Sequence, residues 1–325
     1  MLVDDFGRTI DYLRISVTDR CDLRCNYCIP KGYHDFESHE NWLTFDELTR
    51  VVSAFSRLGT RHFRLTGGEP LLRKNFPILV KQLSQIDGVD DLSITTNGTQ
   101  LANQADALYR AGVNRLNVSL DSIRRECVEK ITGSDCLDQV LNGLKIAKDV
   151  GFKRIRINMV PIPGQNLQDI EHMIQFCIQH DFILCLIEVM PMGNTGQQTK
   201  NIDLQFILKD LEKKYALLPI HEPIGNGPAR YWQSAKNVHF KLGLITPLSR
   251  HFCETCNRVR LSVDGTLYMC LGQNNKMALQ PLLRANCSDA ELENAICQAI
   301  KLKPKSHEFI EKPCQINRIM AATGG

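Results

Sequence analysis

Three thiols lie within eight residues, Cys21-x-x-x-Cys25-x-x-Cys28, directly after an apolar run at 12–17. Soft thiolates select iron–sulfur clusters or zinc. Three of them can share one centre and leave a fourth coordination position that no neighbouring residue fills. An iron–sulfur cluster with one open iron is the natural reading, and an open iron is a place for chemistry. A structural zinc site needs a fourth ligand, and the nearest imidazoles, His34 and His39, lie on a polar stretch. A second set repeats the pattern, with Cys253-x-x-Cys256 followed by Cys270. Zinc-ribbon spacing would pair the first two with another Cys-x-x-Cys, and that pair is missing. A second cluster is favoured, its open iron able to bind a nitrogen or oxygen atom of a substrate. Zinc completed by His251 is the alternative.

Arg258-Val259-Arg260 follows the second thiol pair. Alternation along a strand would put both guanidiniums on one face, and Arg is suited to bidentate phosphate contacts. Arg14 and Arg64 also stand inside apolar strands, and Arg156 alternates with Ile155 and Ile157. A charge there is costly unless it is paired or faces a polar cavity. Any single one reads as salt-bridged or solvent-facing. Several around one lumen, in a chain of formal net charge +3, point to a polyanionic ligand. So small a net charge argues against a general nucleic-acid or membrane-surface binder.

The elements that must position these groups alternate. Strands are expected at 12–17, 62–66, 92–95, 115–120, 154–160 and 183–189, and helices at 44–58, 76–84, 103–111, 137–150 and 167–180. Thr44-Phe45-Asp46-Glu47 is a capping box. This alternation predicts parallel βαβ units, and six strands suit an open, partial barrel. Active sites of such folds form at the carboxyl ends of the strands. There the chain carries the first thiols, Thr66-Gly67-Gly68-Glu69-Pro70, Thr95-Thr96-Asn97-Gly98, Ser119-Leu120-Asp121-Ser122 and Glu188-Val189-Met190-Pro191. Each alone is an ordinary turn; five on one rim favour a site. Beyond residue 192 the pattern changes. A linker is expected at 193–200, a helix at 204–215, a loop at 219–235, a hairpin at 258–269 turning at Asp264-Gly265, and a helix at 289–302.

The chain has 325 residues, 43% of them hydrophobic, enough for about two domains or one barrel with an extension. Its thirteen cysteines are too odd a set in too long a chain for a disulfide framework. The seven outside the two triads read as buried small hydrophobes. No secretory leader and no apolar stretch of ~18 residues is seen, so a reducing cytoplasm is expected, with no nucleic acid and no membrane among the partners.

The first triad with Tyr27, followed by Gly67-Gly68-Glu69-Pro70, resembles the radical S-adenosylmethionine (SAM) superfamily. Arg14 in Leu-Arg-Ile-Ser, Arg64-Leu-Thr-Gly-Gly-Glu-Pro, Thr95-Thr96-Asn97-Gly98, Asn117-Val-Ser-Leu-Asp121-Ser, the second triad with Arg258-Val-Arg260, and a terminal Gly324-Gly325 narrow the resemblance. Over essentially the whole chain it is similar to the GTP 3′,8-cyclases of molybdenum cofactor biosynthesis. The resemblance implies a TIM-like partial (β/α)6 barrel at 1–192 and a C-terminal α+β extension at 193–325 carrying the second cluster. It implies a [4Fe–4S] cluster on Cys21, Cys25 and Cys28 whose open iron chelates SAM, with Tyr27, Gly68, Ser119 and Met190 contacting SAM. A second [4Fe–4S] cluster on Cys253, Cys256 and Cys270 would bind the guanine of GTP, and Arg14, Arg64, Thr95, Arg156, Arg258 and Arg260 match GTP positions. Gly324 and Gly325 would enter the barrel and support radical transfer. Reductive cleavage of SAM would give a 5′-deoxyadenosyl radical that takes hydrogen from C3′ of GTP, and the sugar radical would attack C8. A flavodoxin- or ferredoxin-type reductant, the next pathway enzyme (cyclic pyranopterin monophosphate synthase) and a homodimer belong to the same set of expectations. Two positions depart from the family: Arg156 stands where Lys is usual, and Cys185 where Arg is usual. The competing readings are a radical SAM peptide modifier and a zinc-stabilised binding protein.

Overall fold

The computed structural model describes residues 1–221 and 224–324. Its first half is built on six strands, β1 (Tyr12–Ser16), β2 (His62–Thr66), β3 (Asp91–Thr96), β4 (Arg115–Ser119), β5 (Ile155–Met159) and β6 (Ile183–Ile187). They lie side by side in chain order, all parallel. Parallel neighbours need crossovers of a dozen or more residues. These are α1 (Phe45–Arg57), α2 (Phe76–Ser84), α3 (Leu101–Arg110), α4 (Arg125–Thr132) with α5 (Leu137–Val150), and α6 (Ile170–His180). The capping box holds as expected: the Thr44 hydroxyl accepts from the Glu47 N–H, and the Glu47 carboxylate from the Thr44 N–H. Leu48, Val51, Val52 and Phe55 of α1 pack with Leu13, Ile15, Phe63 and Leu65 of β1 and β2 in one continuous core. Helix α4 was not foreseen. It is short and polar, and Gly133 ends it in the left-handed conformation.

The second half continues with α7 (Gly193–Gln198), α8 (Leu204–Tyr215), β7 (Leu217–Ile220), β8 (Arg230–Ser234), β9 (Lys241–Ile245), β10 (Arg258–Leu261), β11 (Thr266–Tyr268), β12 (Lys276–Ala278), α9 (Gln280–Arg284), α10 (Asp289–Lys301) and α11 (Met320–Thr323). Two expectations are corrected. The linker at 193–200 folds as α7, because the Gly193 N–H and the Gln197 side chain bond to the carbonyl of Ile316 and outweigh poor helix propensity. The loop at 219–235 contains β8 and the end of β7; β7 pairs with β8, and β8 in turn with β9, a partner no local pattern reveals.

The strands after residue 192 do not stand apart. β9 pairs parallel with β6, and β10 pairs parallel with β1. Twelve strands form one sheet in the order β12-β11-β10-β1-β2-β3-β4-β5-β6-β9-β8-β7. The sheet curls. In a flat sheet, five spacings of ~4.8 Å would set β10 roughly 24 Å from β5, yet Arg258 and Arg156 line one cavity.

Candidate active site

The first thiol loop is pinned from three sides. Arg24 N–H and Asn26 N–H donate to the carbonyls of Thr132 and Ile131 at the end of α4. Tyr27 Oη donates to Asp121 Oδ2 (2.8 Å), and Asp121 Oδ1 accepts from Val160 N–H (2.8 Å). Burial raises Asp121 to about 6 and Tyr27 well above its ordinary value. Asp22 takes bonds from Asn97 (2.7 Å) and Thr99 (2.6 Å). The Gly-Gly turn lies against this loop. A Cβ on Gly68 would stand 2.2 Å from the carbonyl oxygen of Arg20, so only glycine permits the approach. Glu69 turns inward, fully buried, and bonds Thr96 and Asn97.

Cys21, Cys25 and Cys28 are half-buried and unpaired. Burial pushes Cys21 and Cys28 up to about 12, and Cys25 well above its ordinary value with Cys28 adding to the effect. Backbone N–H groups reach two of the sulfurs, Leu23 to Cys21 (3.4 Å) and Ala321 to Cys28. Such bonds are characteristic of cluster thiolates. The second triad shares this character. Cys253 receives an N–H from His307, Cys256 from Arg258 and Cys270 from Gly272. Burial opposes ionisation of Cys256, but Lys303 and then Arg258 draw it down to about 7. Among the described residues no three His, Cys, Asp or Glu side chains are set to hold a single metal ion, and His251 is exposed with its ring edge against His307. The donor sets are three thiols each, with amide N–H groups on the sulfurs, and they fit two [4Fe–4S] clusters.

Beside the second triad lies a cavity lined by Arg14, Arg64, Arg156, Arg258, Arg260 and all three of that set's thiols. Register explains the convergence. Arg260, Arg14 and Arg64 stand directly side by side on β10, β1 and β2. Arg64 Nη2, Arg156 Nε, Arg258 Nε, and Arg260 Nε and Nη1 are buried with no hydrogen-bond partner among the described residues. Burial lowers Arg64 and Arg260 to about 10, and burial with Arg260 and Arg64 lowers Arg14 further. Aromatic faces cover part of the charge: Tyr12 lies 5.5 Å from Arg64 and 5.6 Å from Arg258, and Tyr231 5.4 Å from Arg156.

The other expected residues fall around this cavity. Met190 lines it. Tyr27, Gly68 and Ser119 sit at the carboxyl ends of the strands, outside its lining. Thr95 shares the Arg64 face of β3, two residues beyond Ser93, with a buried hydroxyl that has no hydrogen-bond partner among the described residues. The tail enters the fold: α11 packs on β1, Thr323 is fully buried, and a Cβ on Gly324 would stand 2.1 Å from Thr66 Cγ2. Gly325 lies outside the described residues. Cys185 is fully buried. Its sulfur and the Tyr231 ring both stand within 3.3 Å of where a Cβ on Gly243 would be, so the two share one corner of the barrel. Of the scattered cysteines, Cys127, Cys136, Cys177 and Cys185 are buried as expected, whereas Cys287 and Cys297 are only half-buried and Cys314 is exposed. Sequence reasoning missed Lys303, Tyr231 and Arg318. Arg318 donates to the carbonyls of Cys270 (3.2 Å), Leu271 and Gln273 (2.9 Å). None of the three stands in a spaced motif, and Lys303 sits in Lys301-Leu302-Lys303-Pro304-Lys305, which reads as an exposed basic stretch.

Residues 15–177 match the Radical SAM superfamily and residues 182–309 match Molybdenum Cofactor Synthesis C. The fold is similar to that of Streptococcus suis SuiB bound to S-adenosylmethionine, with TM-score 0.63, 14% identity, and coverage of 97% of this chain and 77% of that one. Fold and site together define a radical SAM protein with an auxiliary cluster. GTP 3′,8-cyclase of Ectopseudomonas mendocina is 43% identical, over 100% of this chain and 98% of its own length, and that of Rhizobium etli is 44% identical, over 100% and 94%. The chain belongs to the GTP 3′,8-cyclase family, whose cofactors are two [4Fe–4S] clusters and SAM.

Proposed function

We propose that this chain converts GTP to (8S)-3′,8-cyclo-7,8-dihydroguanosine 5′-triphosphate, the first step of molybdenum cofactor biosynthesis. The observation that carries the reading is the row Arg260–Arg14–Arg64, three like charges in register inside a barrel. Like charges on directly opposed strand positions are destabilising. A triphosphate answers the row, because each guanidinium can grip two oxygens. Arg156 and Arg258 extend the grip, and Thr95 offers a hydroxyl. Cys253, Cys256 and Cys270 hold the second cluster at the guanine end, and Cys21, Cys25 and Cys28 hold the first. Tyr27, Gly68, Ser119 and Met190 form the SAM site. Held by Cys21, Cys25 and Cys28, the first cluster would supply one electron for reductive cleavage of SAM to methionine and the 5′-deoxyadenosyl radical. The protein's part is to orient C3′ and C8 and to exclude water. Gly324, docked against Thr66, and Gly325 assist radical transfer.

In the same reading, residues 1–192 form the SAM-cleaving unit and 193–325 the substrate unit; the two family matches divide the chain earlier, between 177 and 182. The reductant is of flavodoxin or ferredoxin type, the product passes to the synthase that makes cyclic pyranopterin monophosphate, and the chain works in the cytoplasm, as a homodimer. No described helix is long and apolar enough to cross a membrane. Anaerobic incubation with SAM, dithionite and GTP should give 5′-deoxyadenosine and the cyclised nucleotide. Cys25→Ala should abolish both, and Cys256→Ala should leave some SAM cleavage without cyclised product. Full cyclisation by Cys256→Ala protein would refute the second-cluster assignment.

A further inference from the structure

Lys303 belongs to none of the motifs above, yet only 3% of it is exposed. It follows α10, whose Leu292, Ile296, Ala299 and Ile300 are anchored in the core. Its own N–H bonds back to the Ile300 carbonyl. Just beyond it, Arg8 donates to the carbonyls of Pro304 (2.6 Å), Lys305 (2.8 Å) and Cys253 (2.8 Å) while pairing with Asp4 (2.6 Å). The Lys303 backbone is therefore held from both sides.

The ammonium donates to Met269 O (2.8 Å), Arg258 O (2.9 Å) and Cys256 Sγ (3.5 Å). That uses all three of its protons. Among the described residues no carboxylate lies beside it. A buried ammonium is strongly disfavoured without a counter-charge. Of its three acceptors, only the Cys256 sulfur can carry a full negative charge. The two carbonyls come from residues close to Cys256 and Cys270 in the chain, so the same side chain ties the segments that carry two of the three thiols.

We propose that Lys303 is the built-in counter-ion of the Cys256 thiolate and a positioning residue that sets the reduction potential of the second cluster without touching GTP. The proposal rests on the second-cluster reading given above. A positive charge and an N–H···S bond on a ligand sulfur stabilise the reduced, more negative state of a cluster. Removing them lowers its potential.

The test uses the full chain reconstituted anaerobically, with redox titrations of both centres followed by electron paramagnetic resonance. Lys303→Met keeps most of the stem volume and removes the charge, and Lys303→Arg keeps the charge. The second centre's potential should fall in the Met variant and stay near the parent value in the Arg variant, with the first centre unmoved in both. Equal potentials in the parent and the Met variant, with both centres loaded, would overturn the proposal. Should the Met variant fail to load the second centre, iron content decides. Loss confined to that centre and restored by Arg supports the counter-ion role; loss of both centres, or equal loss with Arg, overturns it. A parent protein with a single centre would instead remove the second-cluster reading itself.

Discussion

Glu69 stands in the motif expected to meet SAM, but its carboxylate faces the protein. Oε1 accepts from Leu71 N–H (3.0 Å) and the Thr96 hydroxyl (2.7 Å), and Oε2 from Asn97 N–H (2.6 Å). Its work is to lock the Gly-Gly turn to the end of β3, so that the backbone rather than the acid faces the ligand. Both oxygens accept from backbone N–H groups, so no orientation of an amide satisfies both. Glu69→Gln should therefore destabilise the metal-free protein by ~1–3 kcal/mol, the usual result of leaving a buried donor unmet. Chemical denaturation would measure this, and an unchanged midpoint would mean the turn is held by other contacts. Arg156 also looks different once its neighbour is known. Against Tyr231 it has a fixed aromatic floor, which a guanidinium can use by stacking and a Lys ammonium less well. Arg156 and Cys185 both stand near this ring.

At the level of elements, the strand ends were legible and the edges of the sheet were not. β2 and α8 fall where the alternation of Phe63 and Leu65 and the helical period put them, because each is fixed by its own residues. β8, β9 and α7 were missed because they owe their form to distant partners, β6 and the tail. The six thiols and the strand arginines were likewise legible from spacing and from charge in apolar runs, whereas Lys303 gained its place only through the packing of α10. The tail is an element whose fit can be tested. Gly324 has φ +76°, and an added Cβ would collide with Thr66. Left-handed backbone costs a residue with Cβ ~1–2 kcal/mol before any clash. Gly324→Ala should undock α11, speed proteolysis of the last residues, preserve SAM cleavage and reduce cyclised product several-fold. Equal proteolysis and turnover in the two proteins would show that the tail's position is not needed.

Across the whole molecule, the ends of the chain complete what the middle begins. β9 and β10 cover both edges of the six-stranded sheet, which would otherwise offer unpaired backbone to other chains. The Arg8–Asp4 pair ties the first residues to Cys253 and to residues 304–305. Arg318 ties the tail to the Cys270 turn, and the Ala321 N–H reaches Cys28.

That last contact has a consequence in time. Nearly the whole chain separates Cys28 from Ala321, and at ~5–20 residues per second synthesis takes roughly 15–60 s to cross it. For that interval the first three sulfurs exist on a nascent protein with nothing above them, open to whatever delivers iron and sulfide. Once Ile319 and Ala321 have been made and dock, they pack against Cys21 and Cys28. If that docked segment acts as a latch, a metal-free chain should load its first centre more slowly than one lacking residues 320–325. Absorbance during anaerobic reconstitution would time the two, and equal rates would mean the latch does not hold.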